Sequence, residues 1–539
     1  MHNHGSCLPG PRGPWLLLAL VSLLYLSDLS GRDLWEPNEP TYAEAAREMA
    51  VRGDWLLPTV NGETYPDKPP LLFWGIELAS SPEGKVTETT ARLPSALAGA
   101  ALVLAIYFLS RRDLRPLGAL LAAATLAVSN LYAEQARYVQ TDMLLSLGIG
   151  VGILSLFRVL EGESPRIGWV LLSALGLGMG ILAKGPIALA LPALVMAVDF
   201  FFERYSLRQV GGFLLASLLA LVIPVLYYLD LLRWHGATTL KEFLLRDNAE
   251  RFVAGFDNLQ PWWFYLKHTP VDLLPMTLLL PAAAFFRPWN PGRRRFHRRL
   301  WIWLLVFLAF FSLSTSKRPV YMLPAFPAAA LLCGSLLERA AEWQGRRPVK
   351  RWALLGQGAA LAFLAIAGIV APILAGRKAP ELLRVTTLLT LLAIVGSLLG
   401  FREMVRQRYA AAQGILITVM AGVWLVSIFY IYPDANRLNS PRFFAQEIRH
   451  LVPTDAPLDS YGLYRWRSGY VFYAQREIPR LRDVSAVEQF LESGQRVFCL
   501  LPEDRLSFLR ARVAAPFYLV AEGGAGHHKD CLVSNRPPA

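Results

Sequence analysis

Polar residues that could take part in chemistry are concentrated near the start of the sequence, in residues 32–74. Within this stretch, Lys68 stands directly before Pro69 and Pro70, and an apolar run begins at Leu71. The two prolines favour an extended backbone, which would hold the lysine where the chain leaves water. Its ammonium group could bind the phosphate of a lipid, or it could be only an anchor that reaches out of an apolar environment. The residues alone leave both interpretations open.

A helix is predicted upstream of this lysine, over residues 39–52. Asn38 is a favourable N-cap, Glu39 and Pro40 suit a first turn, and Gly53 suits the residue after a helix. The charged residues of this segment surround an apolar stripe. Ion pairs on a solvated helix face explain them without any catalytic role.

Two further charged residues stand at the ends of apolar runs. Asp142 follows such a run, and a carboxylate inside a membrane is costly and more often functional than not. It could also pair with Arg137 or cap the helix that follows. Lys184 precedes Gly185 and Pro186, so it marks either a functional site or a tight turn.

Membrane-spanning helices must position these residues. The chain has 539 residues, of which 54% are hydrophobic and 18% charged, with a mean hydropathy of +0.36; these values exclude an ordinary water-soluble enzyme. About thirteen windows reach the roughly 20 mostly apolar residues that a spanning helix needs. They lie near 15–31, 93–110, 116–133, 141–158, 167–183, 186–202, 210–229, 269–286, 300–314, 319–337, 353–375, 382–401 and 413–432.

Basic residues cluster in alternate loops between these windows, most densely in residues 293–299. Lys and Arg are retained on the cytoplasmic side. The pattern therefore predicts an integral protein of the cell (inner) membrane, with a cytoplasmic N-terminus and an external, periplasmic C-terminus. The formal net charge of +13 then reflects membrane orientation and contact with anionic lipids, not nucleic-acid binding.

Three segments fall on the external face in this topology: residues 32–92, 230–268 and 433–539. The last changes in composition to short β-rich runs around an amphipathic helix, which predicts a small α/β domain. The predicted division is thus a transmembrane domain, 1–432, followed by the external domain 433–539. Four widely spaced cysteines indicate neither a disulfide framework nor a structural zinc site, and leave open a single Cys499–Cys531 bridge.

Several short motifs follow one another in a recognisable order, each at an external helix end. They are Glu39-x-x-Tyr42-Ala43, Ala46-Arg47-Glu48-Met49, Gly53-Asp54-Trp55, Tyr65-Pro66-Asp67-Lys68-Pro69-Pro70-Leu71, Ala136-Arg137-Tyr138, Thr141-Asp142-Met143, Lys184-Gly185-Pro186, Asn248-x-x-Arg251-Phe252 and Ser316-Lys317-Arg318-Pro319-x-Tyr321-x-Leu323-Pro324. Together they resemble the polyprenyl-phosphate-dependent glycosyltransferases of the C-type membrane fold. The lipid A 4-amino-4-deoxy-L-arabinose transferases are similar in pattern, and the protein O-mannosyltransferases more distantly so.

This resemblance implies an inverting transfer of a sugar from undecaprenyl or a similar polyprenyl phosphate to a lipid, glycan or protein acceptor. The leaving group is the lipid phosphate, which needs cations or a metal to receive its charge. Carried over by motif, the donor-phosphate residues are Lys68, Arg251, Tyr65 and Tyr321. Asp67 is the position that would help to hold a divalent metal cation, and the other candidates are Arg137, Asp142, Lys184, Asn248 and Lys317.

One position departs from the family. Relatives usually carry Asp-Glu where this chain has Asn38-Glu39, and that Asp is the proposed catalytic carboxylate. An amide cannot serve as a base at neutral pH, so Asn38 could only position a substrate while Glu39 takes the proton. An acceptor that is already ionised, or a chain that has lost activity and only binds lipid, would also explain the asparagine. A secondary transporter is the alternative from another class, because many spans with intramembrane charge suit it too.

Overall fold

The computed structural model describes residues 12–162, 166–245, 259–285, 288, 290–342, 347–378, 383–463, 467–526 and 528–537. Their contacts define two compact units. The helical unit comprises the described residues of Met1–Asp28, Asp67–Leu72 and Arg92–Ile431, and the α/β unit those of Leu29–Pro66, Phe73–Ala91 and Tyr432–Ala539. The units thus place most of the first predicted external loop together with the C-terminal segment. The predicted domain limits stay a prediction.

Helices, most of them apolar, make up most of the helical unit. They are Gly13–Val21 with a π-helical continuation Ser22–Leu26, Pro116–Ala127, Asn130–Gln135, Thr141–Val159, Ile167–Lys184, Ile187–Phe202, Leu207–Ala220, Val222–Leu245, Phe264–Asp272, Leu280–Ala284, Pro291–Leu313, Phe326–Glu342, Arg347–Lys378, Leu383–Val405 and Tyr409–Val426, which continues as a π-helical turn over Ser427–Ile431. Two 3₁₀ turns lie at Met276–Leu278 and Pro319–Ala325. The helices Leu71–Ser80 and Glu88–Ser110 contribute residues to both units.

Nine helical stretches of the described residues are long and apolar enough to cross a bilayer by length and composition, and four apolar helices are shorter. Residues 269–286 differ from their predicted continuous span. They form the separate pieces Phe264–Asp272, Met276–Leu278 and Leu280–Ala284. Pro275 lies between the first two pieces and Pro281 in the first turn of the third, and neither has the amide that would continue a preceding helix.

Basic residues of the predicted cytoplasmic run pair inside the helical unit. The guanidinium of Arg299 is almost fully buried and lies 2.8 Å from the Asp199 carboxylate, while Arg298 lies 3.2 Å from the same group and 2.9 Å from Glu203. Arg293 contacts Glu338 at 2.7 Å. This run was predicted to contact anionic lipids, but much of its charge is balanced by carboxylates of the same chain.

The C-terminal part of the α/β unit confirms the predicted small α/β fold. Its five-stranded sheet has the order β4-β3-β5-β7-β6. The strands are β3 (Leu458–Tyr461), β4 (Arg480–Leu481), β5 (Phe498–Pro502), β6 (Tyr518–Ala525) and β7 (His528–Ser534), after a two-stranded hairpin of β1 (Thr59–Val60) and β2 (Glu63–Thr64). Strand β3 is parallel to both β4 and β5, whereas β7 is antiparallel to β5 and β6.

Helices cover both faces of this sheet. One core packs Phe444, Ile448, Tyr470 and Val471 against Leu458, Phe498 and Leu500, and the other packs Val487, Leu491 and Leu509 against Cys499, Leu501 and Cys531. The contributing helices are Arg442–Leu451, Ser468–Ala474, Val484–Leu491 and Glu503–Arg510, preceded by Tyr432–Asn439. Cys499 and Cys531 are buried free thiols, so the bridge left open by the sequence is not formed.

The predicted helix 39–52 is confirmed as Asn38–Arg52, and Gly53 ends it with φ +66. Asn38 is its first helical residue instead of the cap before it. The prediction of a solvated charged face was wrong for two of its carboxylates, because Glu44 and Glu48 are buried. Glu48 accepts hydrogen bonds from the hydroxyl of Thr59 and the amides of Asn61 and Gly62, which holds the β1–β2 hairpin on this helix.

Candidate functional site

An ion pair between a buried carboxylate and a partly exposed lysine lies at the ends of two neighbouring helices of the helical unit. The ammonium of Lys184 contacts Asp142 Oδ1, and the side-chain amide of Gln140 donates to Asp142 Oδ2 at 2.9 Å. The Lys184 Nζ also lies 4.6 Å from the centre of the Tyr321 ring, within the range of a cation–π contact. We call these four residues the Lys184 cluster. Three of them, Asp142, Lys184 and Tyr321, were predicted from the sequence.

Helix ends place the charges of this cluster favourably. Asp142 is in the first turn of Thr141–Val159, where the helix dipole stabilises an anion, and Lys184 is in the last turn of Ile167–Lys184, where it stabilises a cation. Gly185 then stops the second helix with φ +89, a conformation that glycine adopts readily. The pairing of Asp142 with Arg137, left open by the sequence, is replaced by the pairing with Lys184.

Glycines allow these two helices to approach closely. A Cβ built on Gly148 would lie 2.5 Å from the carbonyl oxygen of Gly176, and one on Gly176 would lie 2.8 Å from that of Gly148. Gly152 follows Gly148 after four residues, and Gly180 follows Gly176 at the same spacing. Such small-xxx-small spacing brings membrane helices together, and here it brings the Asp142 and Lys184 ends within contact.

The segment that carries Tyr321 also carries a buried cation, Lys317. Lys317 is buried, and its ammonium donates to the carbonyl oxygens of Ser314 and, at 2.9 Å, of Gln260. The hydroxyl of Tyr265 donates to the Arg318 carbonyl at 3.1 Å. The Tyr321 ring lies 5.3 Å from that of Phe311. Side chains thus hold the backbone of the segment that leads to Tyr321. Tyr265 was not among the residues predicted from the sequence.

Other predicted residues of the helical unit are also held in place. Lys68 is buried, and its ammonium donates to the Asp67 carbonyl at 2.7 Å. Arg137 is buried and donates to the carbonyl oxygens of Leu24 and Asp28 at 2.9 and 3.0 Å. Arg137 therefore binds backbone carbonyl groups at the C-terminal end of the first helix. Asn248 and Arg251 lie outside the described residues.

The remaining predicted residues belong to the α/β unit. Glu39 is fully buried; its Oε1 lies 3.0 Å from the Arg32 guanidinium, and its Oε2 accepts from the Trp35 amide at 3.3 Å. Tyr65 is buried against the rings of Tyr42 and Phe73. The geometry gives Glu39 a clear structural partner, and its predicted role as the base stays a prediction.

Glu36 is a buried carboxyl group that was not among the residues predicted from the sequence. Its Oε1 accepts a 2.6 Å hydrogen bond from the Gly469 amide, whereas its Oε2 is buried and has no partner among the described residues. Burial raises the pKa of Glu36 to about 8, despite the opposing effects of that hydrogen bond and of the positive charge of Arg467. This carboxyl group, two positions before Asn38, therefore has a pKa well above that of an ordinary glutamate.

A divalent metal has little to bind among the residues that the structure describes. No group of three His, Cys, Asp or Glu side chains among them could hold an ion. Asp67 supplies one carboxylate, and a site with a single protein carboxylate would need most of its ligands from the substrate or from water.

Comparison with solved structures identifies the class of this fold. The chain superposes on the crystal structure of ArnT from Cupriavidus metallidurans bound to undecaprenyl phosphate, with a TM-score of 0.82 over 98% of this chain and 99% of that one, at 22% identity. The protein thus has the C-type glycosyltransferase fold and is an integral membrane protein. Residues 67–228 also match the dolichyl-phosphate-mannose-protein mannosyltransferase family.

Sequence relatives define the family more closely. An undecaprenyl phosphate-α-4-amino-4-deoxy-L-arabinose arabinosyl transferase of Pseudomonas savastanoi pv. phaseolicola is 30% identical over 72% of this chain and 73% of its own length. The corresponding protein of Pseudomonas aeruginosa strain LESB58 is 35% identical over 65% of this chain and 64% of its own. The chain belongs to this family of arabinosyl transferases. The match to the P. aeruginosa protein spans slightly less than two thirds of that protein's length.

Proposed function

We propose that this protein transfers a sugar from a polyprenyl-phosphate donor to an acceptor on the external face of the membrane, with inversion at the anomeric carbon. Undecaprenyl phosphate-linked 4-amino-4-deoxy-L-arabinose is the proposed donor, and lipid A is the proposed acceptor. The observation that carries this proposal is the Lys184 cluster, a cation fixed at a helix end in a protein of this family. The proposed orientation has a cytoplasmic N-terminus and a periplasmic C-terminus.

The chemistry requires positive charge where the lipid phosphate departs, because that phosphate gains negative charge in the transition state. Lys184 suits this role. Its ammonium has three donors, of which Asp142 accepts one, so the others can reach a phosphate oxygen while Asp142 and the Tyr321 ring hold the side chain. Lys68 and Lys317 are proposed to contribute further charge, together with Arg251.

The acceptor must lose a proton if it attacks through a hydroxyl group. Glu39 is the proposed base, although it must then exchange its contact with Arg32 for the acceptor. A phosphate acceptor would need no base, and Asn38 would then be sufficient to position it. A divalent cation, if bound, would share the phosphate charge beside Asp67.

A secondary transporter remains the alternative from another class. Membership of a transferase family favours the enzyme, and so does a C-type fold with its small α/β sheet. Transporters of comparable size are usually built from related halves with broken helices at matching positions, and no such repeat is evident in the sequence.

Single-turnover transfer by the purified full-length protein tests the proposal. The donor is undecaprenyl phosphate-4-amino-4-deoxy-L-arabinose, and lipid A is the acceptor. Lys68→Ala and Lys184→Ala should weaken donor binding and turnover together. Glu39→Gln should lower turnover by about 10²–10⁴-fold, the usual loss for a general base, with little effect on donor affinity.

Exposed residues of the same loop provide matched controls, namely Lys85→Ala for the lysines and Glu83→Gln for the glutamate. Absence of transfer by the unmodified protein, combined with uptake of a solute into proteoliposomes, would establish the transporter instead. Full activity of Glu39→Gln on a hydroxyl acceptor would remove Glu39 as the base.

A further inference from the structure

The carboxyl ends of two parallel strands in the α/β unit border an open cavity of about 550 Å³. Residues after β3, residues after β5 and the first residues of β7 line it. The chain runs from β3 to β4 on one side and then crosses back to β5 on the other, so the β3–β5 pair is the point where the direction of winding reverses. Open α/β sheets bind their ligands in the crevice at such a reversal.

One charged side chain at this cavity is rigidly oriented. Arg467 lines the cavity, and its side chain is only 10% exposed because it pairs with the fully buried Asp530. The hydroxyl of Tyr470 donates to the same carboxylate at 2.6 Å. The guanidinium is therefore held in place at the cavity wall before any ligand binds. This lowers the entropy cost of binding a ligand.

Exposed charges of both signs complete the lining. Glu503, Asp504 and Arg505 begin the helix that follows β5, and Lys529 lies 3.8 Å from Glu503. Arg505 has no ion pair among the described residues, and its guanidinium lies 5.7 Å from the Phe508 ring. Asp504 likewise has no polar partner within the part of the chain that the structure describes.

The charges are balanced, and this balance selects the class of ligand. The lining carries three cations, Arg467, Arg505 and Lys529, and two carboxylates, Glu503 and Asp504. The buried Asp530 behind the lining neutralises Arg467. A simple anion or cation gains little net attraction from such a lining. A sugar hydroxyl can both donate and accept a hydrogen bond, so it can use both kinds of group. The volume also lies within the range of about 300–1,000 Å³ of small-molecule sites.

From these observations we infer that the cavity at the carboxyl ends of β3 and β5 is a binding site for a neutral saccharide. Asp504 and Glu503 accept hydrogen bonds from its hydroxyls, and Arg505 and Arg467 donate to them. Binding there does not depend on the transfer chemistry. Use of the site to hold the glycan part of an acceptor rests on the proposed function.

Binding of maltose to the purified full-length protein tests this inference without any donor present. Saturation-transfer NMR titration should give saturable binding. Asp504→Asn and Arg505→Gln should each weaken it about tenfold, the loss expected for one charge-assisted hydrogen bond. Both side chains are exposed, so the variants should keep the thermal unfolding midpoint of the unmodified protein.

Exposed residues of the same unit serve as controls, since Asp455→Asn and Arg449→Gln remove like charges that do not line the cavity. Asp455 precedes β3 and so lies at the other end of that strand. Absence of saturable maltose binding, or equal binding by the two cavity variants, would overturn the inference. Binding of glucose 6-phosphate without binding of maltose would show an anion site instead. A protein that binds maltose but transfers no sugar would refute only the proposed function.

Discussion

Removal of either charge of the Asp142–Lys184 pair changes two properties at once. Both side chains are largely buried, and breaking such a pair from one side costs about 3–5 kcal/mol because it leaves an uncompensated charge. Asp142→Asn should therefore lower the thermal unfolding midpoint as well as transfer. A loss of activity in this variant alone would not identify a catalytic role.

The double variant Asp142→Asn/Lys184→Met separates stability from function. It removes both charges, so we expect the unfolding midpoint to return towards that of the unmodified protein while transfer stays abolished. Thermal unfolding in detergent and single-turnover transfer are the two measurements. Recovery of transfer in the double variant would show that the Lys184 charge is dispensable.

The pKa of Glu36 predicts a dependence of stability on pH. Burial raises its pKa from an ordinary value near 4.5 to about 8, so the folded protein binds the proton more tightly than the unfolded chain. The contribution of the protonated carboxyl is fully present below about pH 4.5 and is lost as the pH rises through 8. Glu36→Gln cannot ionise, and its unfolding midpoint should increasingly exceed that of the unmodified protein across this window.

The exposed Glu83→Gln variant provides the control for this titration and should follow the unmodified protein at every pH. Parallel pH profiles for Glu36→Gln and the unmodified protein would contradict the raised pKa. A changed profile for Glu83→Gln would show that the dependence is a general charge effect.

Sequence reasoning could select Lys184 and Asp142 but could not pair them. Both became candidates because they are charged residues at the ends of apolar runs. They are 42 residues apart along the chain, so the sequence did not show that they contact each other. Glu36 shows the opposite case. Its raised pKa comes from burial against residues near Gly469, which is distant in the sequence. The local sequence around Glu36 does not predict that contact.

At the scale of elements, the close packing of Thr141–Val159 and Ile167–Lys184 positions the Lys184 cluster. Gly176→Val should force these helices apart, because even a Cβ at this position would meet backbone atoms of the neighbouring helix. Overpacking of this kind costs about 1–3 kcal/mol or more. We therefore expect a lower unfolding midpoint together with weaker donor binding.

Gly168→Val is the matched control on the same helix, since nothing lies within 4 Å of a Cβ built there. Its midpoint and donor binding should match those of the unmodified protein. Equal effects of the two substitutions would trace the loss to helix propensity instead of helix packing.

Elements with strong local signals were predicted well, and those decided by distant contacts were not. The helix Asn38–Arg52 begins and ends within one residue of its prediction, because Gly53 and the first-turn residues are local signals. The solvated face assigned to that helix was wrong, since Glu48 is buried by the β1–β2 hairpin. Residues 269–286 were predicted as one span because hydropathy averages over prolines that interrupt a helix.

At the scale of the whole molecule, the proposed function requires residues 32–92 and 433–539 to be external. Cysteines placed at the exposed positions Glu83 and Ser485 should react with an impermeant thiol reagent added to intact cells or spheroplasts. The background is a variant with the four native cysteines replaced by alanine. Labelling of the protein is measured as a shift in its electrophoretic mobility.

A cysteine at Arg406, in a predicted cytoplasmic loop, is the control and should react only after the membrane is opened. Labelling of Glu83→Cys or Ser485→Cys only after opening would overturn the topology. Labelling of all three from outside would invalidate the assay, and inverted vesicles would then decide the orientation.

The arginines of residues 293–299 are proposed to act first during membrane insertion and then in the folded protein. In the proposed orientation, their unpaired charges are retained on the cytoplasmic side while the protein is being inserted. In the folded protein, Arg298 and Arg299 are neutralised by Asp199 and Glu203. In the proposed orientation, part of the charge that orients the inserting chain is thus neutralised in the folded protein, at Arg298 and Arg299. A count of basic residues in the sequence therefore overstates the attraction of the mature protein for anionic lipid.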